Sequence, residues 1–282
     1  MLDGTSSVHF LHNLAALTKG ESIIYHPTFD RTRLKARDPP IIKYPHPELV
    51  EIPSFRTSFT QREQITTPYA SEISPHHAYR SFPFQSHMLQ KLKERALEEG
   101  VKKCSTFEAM LAHVWQARVK SIESIEMDKP TLVLFAMDIR QRVDPPLSKY
   151  YTGNGVVSAH AEALAHEIVS KPLSFCVEKV QEGIDRITAD YVSSSIDWLE
   201  VHKGIPSAGV NGNFYLSAWW KLPFHKLDFG WGNPIYAGPV MGSTVDIVLI
   251  VSNCNEDDEG GVNLLIALEP HEMTKFEHHI QV

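Results

Sequence analysis

Prolines recur throughout residues 26–80 and limit what this part of the chain can form. Proline fixes φ, lacks a backbone N–H and disfavours a helical residue before it, so no long helix or strand can pass through. A stretch of this length without regular elements is typical of a linker or a functional loop. The prolines are Pro27, Pro39, Pro40, Pro45, Pro47, Pro53, Pro68 and Pro75.

Regular elements are predicted on both sides of that region. Residues 5–19 have one apolar helical face formed by Val8, Leu11, Leu14 and Ala15, with Asp3 or Thr5 as a cap. From Ser81 onward, strands alternate with helices, which predicts a mixed α/β fold. The predicted strands are 81–84, 131–137, 156–161, 245–251 and 262–268, and the predicted helices are 86–99, 105–120, 172–191 (extended by 193–201 after a break) and 270–282.

Composition excludes several classes of partner. The chain has 282 residues and a net charge of −7, without a concentrated basic patch, so we expect neither nucleic acid nor an anionic membrane as a partner. Cys104, Cys176 and Cys254 are widely spaced and odd in number, which favours a reducing compartment. No apolar run is long enough to span a membrane, and no signal peptide is evident. The expected location is the cytoplasm.

The stretch from Asn213 to Pro234 contains the most unusual local sequence. A strand with alternating apolar positions leads to the pentapeptide Asp228, Phe229, Gly230, Trp231, Gly232. The two glycines predict positive φ or very close packing, and Asp228 can accept hydrogen bonds from nearby backbone N–H groups. On physical grounds alone this is a tight turn closed by an aromatic plug.

Candidate chemical groups are sparse outside that turn. No P-loop, nucleophile elbow, dinucleotide fingerprint or zinc spacing is present, so no metal site is predicted. His9 and His12 share a helix face, but without a third ligand they are better explained as packed or exposed histidines. Ser105 and Glu108 form a capping-box pattern, with a phosphate-binding helix N-terminus as the alternative.

Charges follow directly after the buried strand 131–137. Asp138, Arg140 and Arg142 occupy these positions. A charge at the end of a buried strand is costly unless it is paired. We therefore expect one of the two arginines to contact a carboxylate.

Several of these segments together resemble the plant BAHD acyltransferases. The pentapeptide 228–232 matches the family's DFGWG hallmark, and Leu222-Pro223 precedes it as in the family. The opening Asp3-Gly4 matches the end of the family's HxxxDG motif. The resemblance covers essentially the whole chain and is weakly closest to the branch that transfers hydroxycinnamoyl groups to ω-hydroxy fatty acids or fatty alcohols. Further matches, in the family's order, are DGTSSVHFLHNLAAL, DRTRLKARDPP, STFEAMLAHVWQAR, DIRQRVDPPL, GNGVV and KPLSF.

The resemblance implies a fold of two chloramphenicol-acetyltransferase-like domains with a channel between them. Residues 1–45 would be the remnant of the first domain, 46–80 the crossover linker, and 81–282 the second domain. It implies a monomer that uses acyl-CoA as co-substrate, without a permanently bound cofactor, and a small-molecule alcohol or amine as acceptor.

The same resemblance assigns roles to individual residues. Asp3 is the structural partner of the catalytic histidine and would pair with Arg140, with Arg142 as the second choice. Ser217 and Trp219 would line the substrate channel. Ser217 would help to bind the developing oxyanion or orient the acyl group, and Trp219 would be an apolar wall or plain core. The hallmark turn 228–232 would support coenzyme A binding from a distance.

The histidine of the motif lies ahead of the sequence. The family's general base is a histidine four residues before Asp3, which is upstream of Met1. We therefore expect this chain to be N-terminally truncated and inactive as it stands, because a general base contributes about 10²–10⁴ in rate. The alternative is a non-catalytic truncated paralogue that binds acyl-CoA or a protein partner.

Overall fold

The computed structural model describes residues 2–51, 77–239, 246–253 and 260–282. The predicted mixed α/β class is confirmed. The helices are α1 (Gly4–Thr18), α2 (Ser86–Glu98), α3 (Thr106–Ser121), α4 (Ala165–Ser170), α5 (Leu173–Arg186), α6 (Ala189–His202) and α7 (Pro270–His279). The strands are β1 (Leu49–Val50), β2 (Ala78–Phe84), β3 (Pro130–Asp138), β4 (Val156–Leu164), β5 (Ile205–Pro206), β6 (Phe214–Ala218), β7 (Ile247–Ser252) and β8 (Val262–Leu268).

Six strands form one mixed sheet in the order β2-β8-β7-β6-β3-β4. The pairs β3–β6 and β6–β7 are parallel, and the other neighbours are antiparallel. The central strands β3, β6 and β7 are rich in branched and aromatic residues, as expected for strands that pack on both faces. β1 and β5 pair separately as a short antiparallel ladder.

α3 is the central helix of the core. It contacts α2, α4, α5 and α7, and its residues from Ala109 to Val119 are all buried. The predicted capping box at its start is confirmed: Ser105 Oγ accepts from the Glu108 N–H at 3.2 Å, and Glu108 Oε2 accepts from the Ser105 N–H at 2.9 Å. The box satisfies two backbone donors that the helix itself leaves free.

The predicted first helix is confirmed within one residue at each end. Asp3 is its cap, and Gly20 follows it with φ of +76°. Leu14 was expected on the buried face but is 41% exposed. The sequence also predicts Leu97 on the apolar side of the helix 86–99, together with Met88, Leu89 and Leu92, and Leu97 too is 41% exposed. On α2 the buried stripe consists of Leu89, Leu92 and Ala96, and Leu97 lies one position beyond its edge.

The prediction of one helix from Pro172 to Tyr191 is wrong. α5 ends at Arg186, and Thr188 caps a new helix by accepting a hydrogen bond from the Tyr191 N–H at 3.2 Å. Arg142 stabilises the break, because its Nη1 donates to the carbonyls of Ile184 and Ile187 at 3.1 and 2.9 Å. The last carbonyls of a helix lack the regular N–H partners of the helix interior, and Arg142 supplies a donor to two of them here.

Residues 34–50, here called the strap, run along α6. Asp197, which is completely buried, accepts from the backbone N–H groups of Arg37 and Ile41 at 2.8 and 2.7 Å. Ser194 Oγ accepts from the N–H groups of Lys43 and Tyr44 at 2.9 and 3.3 Å. α6 therefore supplies side-chain partners for a proline-rich segment that cannot form its own backbone ladder.

The strap ends in a buried polar network around Glu48. Glu48 Oε1 accepts from His46 Nδ1 and from the Tyr191 hydroxyl, both at 2.8 Å, and Oε2 lies 3.1 Å from His160 Nδ1 at a poor hydrogen-bond angle. Burial raises the pKa of the Glu48 carboxyl, but the contacts with His160, His46 and Tyr191 outweigh burial and lower it to about 2. Glu48 is therefore a buried anion that joins the strap to α6 and β4.

Two features that the sequence predicts lie partly outside the described residues: a surface or turn position for the pair His76-His77, and an exposed turn at 255–261 between the last two strands. The pair His76-His77 is described only at His77, whose Nε2 lies 3.0 Å from Glu269 Oε1. The predicted turn 255–261 lies mostly in the gap between residues 253 and 260.

Candidate active site

Asp3 and Arg140 form a buried ion pair. Arg140 Nη2 lies 2.9 Å from Asp3 Oδ2 and 3.1 Å from Oδ1, with only 5% and 4% of the two side chains exposed. Nη1 of the same guanidinium donates to Asp138 Oδ2 at 2.9 Å. The expectation that a strand-end arginine contacts a carboxylate is confirmed, and Arg142 instead caps a helix.

Backbone groups occupy the rest of the Asp3 carboxylate. Oδ1 accepts from the Ser6 N–H and Oδ2 from the Gly155 N–H, both at 2.8 Å. A Cβ at position 155 would lie 2.9 Å from Arg140 Cζ, so the turn packs flat against the guanidinium. These contacts fix the backbone at Asp3 relative to the end of β3 and the start of β4.

Ser6 is a member of this network that the sequence interpretation missed. It is completely buried, and its Oγ accepts from Arg140 Nη2 at 3.0 Å and donates to the Gly153 carbonyl at 2.8 Å. The available signal is its position three residues after the Asp3 cap, where a side chain turns back toward the helix start. Ser6 thus ties the first turn of α1 to the turn that precedes β4.

Ser217 and Trp219 lie together at the end of β6. The indole Nε1–H of Trp219 donates to Ser217 Oγ at 2.8 Å, and its ring stacks on Phe224 with centroids 5.4 Å apart. Because the indole uses one acceptor site of the Ser217 oxygen, the hydroxyl hydrogen remains available as a donor. Trp219 also borders the start of α1: a Cβ at Gly4 would lie 3.9 Å from its ring.

The hallmark turn has the hydrogen bonds expected from its sequence. Asp228 Oδ1 accepts from the N–H groups of Gly230 and Gly232 at 2.8 and 2.9 Å, and these bonds lower the pKa of its carboxyl. Both glycines have positive φ, +107° and +95°. The expected aromatic plug is wrong for Trp231, which is 90% exposed; Phe229 is the ring that packs inward.

α1 connects the two ends of the candidate site. Its N-terminus holds Asp3, and at its other end the Thr18 hydroxyl lies 3.4 Å from the Phe229 carbonyl oxygen. The helix has 15 residues and so spans about 22 Å. The structure therefore brings Asp3 together with Arg140 and places Trp219 beside Gly4, while the turn 228–232 lies a helix length away from Asp3.

The paired histidines of α1 are packed against an aromatic ring. His9 stacks on Tyr25 with centroids 4.2 Å apart, and burial lowers the pKa of its imidazole. The His12 ring lies 6.0 Å from the same tyrosine. Among the described residues, no cluster of three or more His, Cys, Asp or Glu side chains is arranged to hold a metal ion.

The sequence as a whole matches a known protein family. The profile of a family described as Transferase family matches residues 1–282. The chain belongs to this family, the BAHD acyltransferases. This BAHD chain is 38% identical over 283 residues to Acyltransferase GLAUCE of Arabidopsis thaliana, covering 98% of the chain and 60% of that relative. It is 35% identical over 281 residues to Omega-hydroxypalmitate O-feruloyl transferase of the same plant, covering 98% and 58%.

Solved structures share the fold of this BAHD chain. Vinorine synthase superposes with a TM-score of 0.68 at 21% identity, over 97% of the chain and 58% of the neighbour. TRI101 of F. graminearum, solved with ethyl coenzyme A, superposes with a TM-score of 0.78 at 16% identity, over 98% and 62%. At these identities the likeness shows the fold alone. The chain spans about three-fifths of the length of the relatives it matches.

The helices are short relative to a bilayer. Within the described ranges, none combines the length and the apolar character that a membrane span requires.

Proposed function

We propose that this chain is part of an acyl-CoA-dependent acyltransferase that transfers an acyl group, such as a hydroxycinnamoyl group, to an alcohol or amine. The observation that carries the proposal is the buried Asp3 carboxylate. It is paired with Arg140 and closed by the N–H groups of Ser6 and Gly155, in a chain that matches the family profile from end to end.

The proposed reaction needs a general base that removes the proton from the acceptor. The attacking oxygen or nitrogen then adds to the thioester carbonyl, and coenzyme A leaves as the thiol. We assign the base to a histidine four residues before Asp3. Asp3 and Arg140 then act as positioning residues: they hold the backbone that follows the base, so that its imidazole keeps one orientation toward the acceptor.

Ser217 and Trp219 are proposed to border the reacting carbonyl. The Ser217 hydroxyl is held by the Trp219 indole and has its own hydrogen free, so it can donate to the oxygen on which charge develops. The indole face that Phe224 does not cover offers a flat apolar wall against which an aromatic acyl group can pack. The turn 228–232 supports this region through α1 without touching the reacting atoms.

The choice of first substrates follows from the relatives. One relative is an omega-hydroxypalmitate O-feruloyl transferase, and another is a fatty alcohol:caffeoyl-CoA acyltransferase of Arabidopsis thaliana, 31% identical over 277 residues. We therefore propose a hydroxycinnamoyl-CoA as donor and a long-chain alcohol as acceptor.

Dependence on the upstream histidine tests the proposal. The 282-residue chain is assayed with feruloyl-CoA and a long-chain alcohol, alongside a form joined to the preceding segment of a curated relative with a histidine four residues before Asp3. We expect ester only from the joined form, and its loss by about 10²–10⁴ when that histidine becomes alanine.

Two results decide between the possibilities. Full transfer by the 282-residue chain would show that the assigned base is not needed. Coenzyme A binding without any ester from a folded joined form would favour a non-catalytic acyl-CoA-binding protein.

In an active form, Ser217→Ala should lower kcat by about 10²–10³ with a smaller effect on KM, if its hydroxyl acts on the developing charge.

A further inference from the structure

The outer face of α1 carries large apolar side chains that the fold leaves exposed. Phe10, Leu14 and Leu17 are 55%, 41% and 56% exposed. At about 100° per residue, these three positions fall within about 60° of one another around the helix axis. They therefore form one apolar stripe along the helix, on the side away from the buried residues Ser6 and Val8.

The stripe continues onto residues on either side of α1. Phe10 lines a small cavity of about 240 Å³ together with Leu2 and Phe29, and all three are exposed. Asn13 Oδ1 accepts from the Ile24 N–H at 2.9 Å, which holds the exposed Ile24 against the helix. We call this surface the apolar patch, and its members are Leu2, Phe10, Leu14, Leu17, Ile24 and Phe29.

The charges around the apolar patch are compensated. α1 has no Asp, Glu, Lys or Arg along its whole length. Asp3 is buried against Arg140, and Lys19 Nζ lies 3.3 Å from Glu21 Oε1. Two copies of the chain can therefore meet at this surface without like-charge repulsion, although each carries a net charge of −7.

The apolar patch is large enough for a stable interface. Its six side chains are 41–63% exposed. Because a large apolar residue has on the order of 200 Å² of surface, the patch offers about 600 Å² of apolar area. A standard interface buries about 800 Å² per partner, of which about 60% is apolar. A monomer seldom leaves a single patch of this size uncovered.

We propose that the apolar patch pairs with the same patch of a second copy of this chain, with the two α1 helices antiparallel across a two-fold axis. In such an interface each surface must be complementary to itself, which an apolar stripe without charges satisfies. Antiparallel pairing also places opposite ends of the two helix dipoles side by side. The pairing does not depend on acyl transfer.

The two-fold axis determines which side chains meet. Leu14 is the middle residue of the stripe, so it lies next to the axis and contacts Leu14 of the second copy. Phe10 then faces Leu17 of the second copy, because the two positions lie on opposite sides of Leu14. The cavity beside Phe10 is thereby placed to receive that leucine, as a pocket at the centre of an interface receives an anchor residue.

The mass of the 282-residue chain in solution tests the proposal. Sedimentation equilibrium between about 1 and 100 μM covers the weak end of the affinities that interfaces of this size reach. We expect a species with twice the mass of one chain that dissociates on dilution. Leu14→Glu should weaken the pairing at least about 30-fold, because it places two carboxylates together at the axis in place of a central apolar contact.

The matched control is Leu97→Glu. Leu97 lies on α2 and is also 41% exposed, so its replacement changes the net charge and the exposed apolar area in the same way. It lies outside the apolar patch, and the variant should pair like the wild type. Far-UV circular dichroism checks that both variants are folded.

A cysteine at position 14 tests the geometry of the pair. Leu14→Cys should form a disulfide-linked pair of chains when diamide is added, because a residue beside the axis meets its own copy within the Cα separation of about 7 Å that a disulfide tolerates. Leu97→Cys and the wild type, which has three cysteines of its own, should remain single chains under the same conditions.

Several results would overturn the proposal. A monomer over the whole concentration range would overturn it and leave the segment that precedes Asp3 in the longer relatives as the occupant of the patch. Equal weakening by Leu14→Glu and Leu97→Glu would show that the patch is not the contact. An open series of larger species would rule out a closed pair, and a monomer that binds phosphatidylcholine vesicles through α1 would assign the patch to a bilayer.

Discussion

Asp3→Asn is the substitution that most directly perturbs the buried ion pair. The carboxylate receives four donor contacts, from the N–H groups of Ser6 and Gly155 and from Arg140 to each oxygen. An asparagine has one acceptor oxygen, so its NH₂ group must face an N–H of Ser6 or Gly155. The substitution also leaves Arg140 with Asp138 as its remaining carboxylate partner.

The expected loss of stability follows from these contacts. Breaking a buried ion pair on one side costs about 3–5 kcal/mol. Because Asp138 still offsets part of the charge, we expect Asp3→Asn to lower the free energy of unfolding by about 2–4 kcal/mol. Urea unfolding followed by tryptophan fluorescence measures this change.

The matched control removes the other carboxylate from the same arginine. The Asp138 side chain is 46% exposed, so Asp138→Asn should cost at most about 1 kcal/mol. Equal losses for the two variants would refute the conclusion that the Asp3 contact is the one that stabilises the fold.

Three further changes test other parts of the structure. The Glu48 carboxyl has a pKa of about 2 in the folded chain and an ordinary value of 4.5 in the unfolded chain. Its contribution to stability is therefore present above pH 4.5 and is lost as the pH falls through about 2. Urea unfolding at pH 5 and pH 2 should show that the wild type loses up to about 3 kcal/mol more of its unfolding free energy than Glu48→Gln. Gly155→Ala should lower the free energy of unfolding by about 1–3 kcal/mol, because the added Cβ would displace the Arg140 guanidinium. Thermal unfolding measures this loss, and an unchanged melting temperature would contradict the close packing. Ser105→Ala should lower the free energy of unfolding by about 1 kcal/mol, because it removes the N-terminal cap of α3. Calorimetry measures this loss, and Ser105→Thr, which keeps a hydroxyl, should retain most of the stability.

The sequence predicted those parts of the site that obey local rules. Charges after a buried strand must be paired, which predicted that Arg140 or Arg142 contacts a carboxylate; the choice of Arg140, with Asp3 as its partner, came from the family resemblance. Asp228 before two alternating glycines predicted the turn geometry, because an aspartate side chain readily accepts hydrogen bonds from backbone N–H groups two to four residues further on. Both predictions depend on residues within a few positions of one another.

The Glu48 network could not be predicted in this way. Glu48 lies in a proline-rich region without periodicity, and its partners His160 and Tyr191 are more than 100 residues away. No local signal distinguishes it from a surface glutamate, because its burial arises only when the strap packs against α6. The break between α5 and α6 did have a local signal, since Thr188 and Asp190 are typical of a helix start, but the apolar spacing continued across it.

Acyl transfer by a form that includes the upstream histidine is the most direct measurement. Feruloyl-CoA and a long-chain alcohol are incubated with the joined form, its Asp3→Asn variant and its Asp138→Asn variant, and the ester is measured by mass spectrometry. We expect ester from the joined form, at least about 10-fold less from Asp3→Asn, and little change for Asp138→Asn. No ester from a folded joined form, or equal rates for all three proteins, would contradict the assignment of Asp3 and Arg140 to an acyltransferase site.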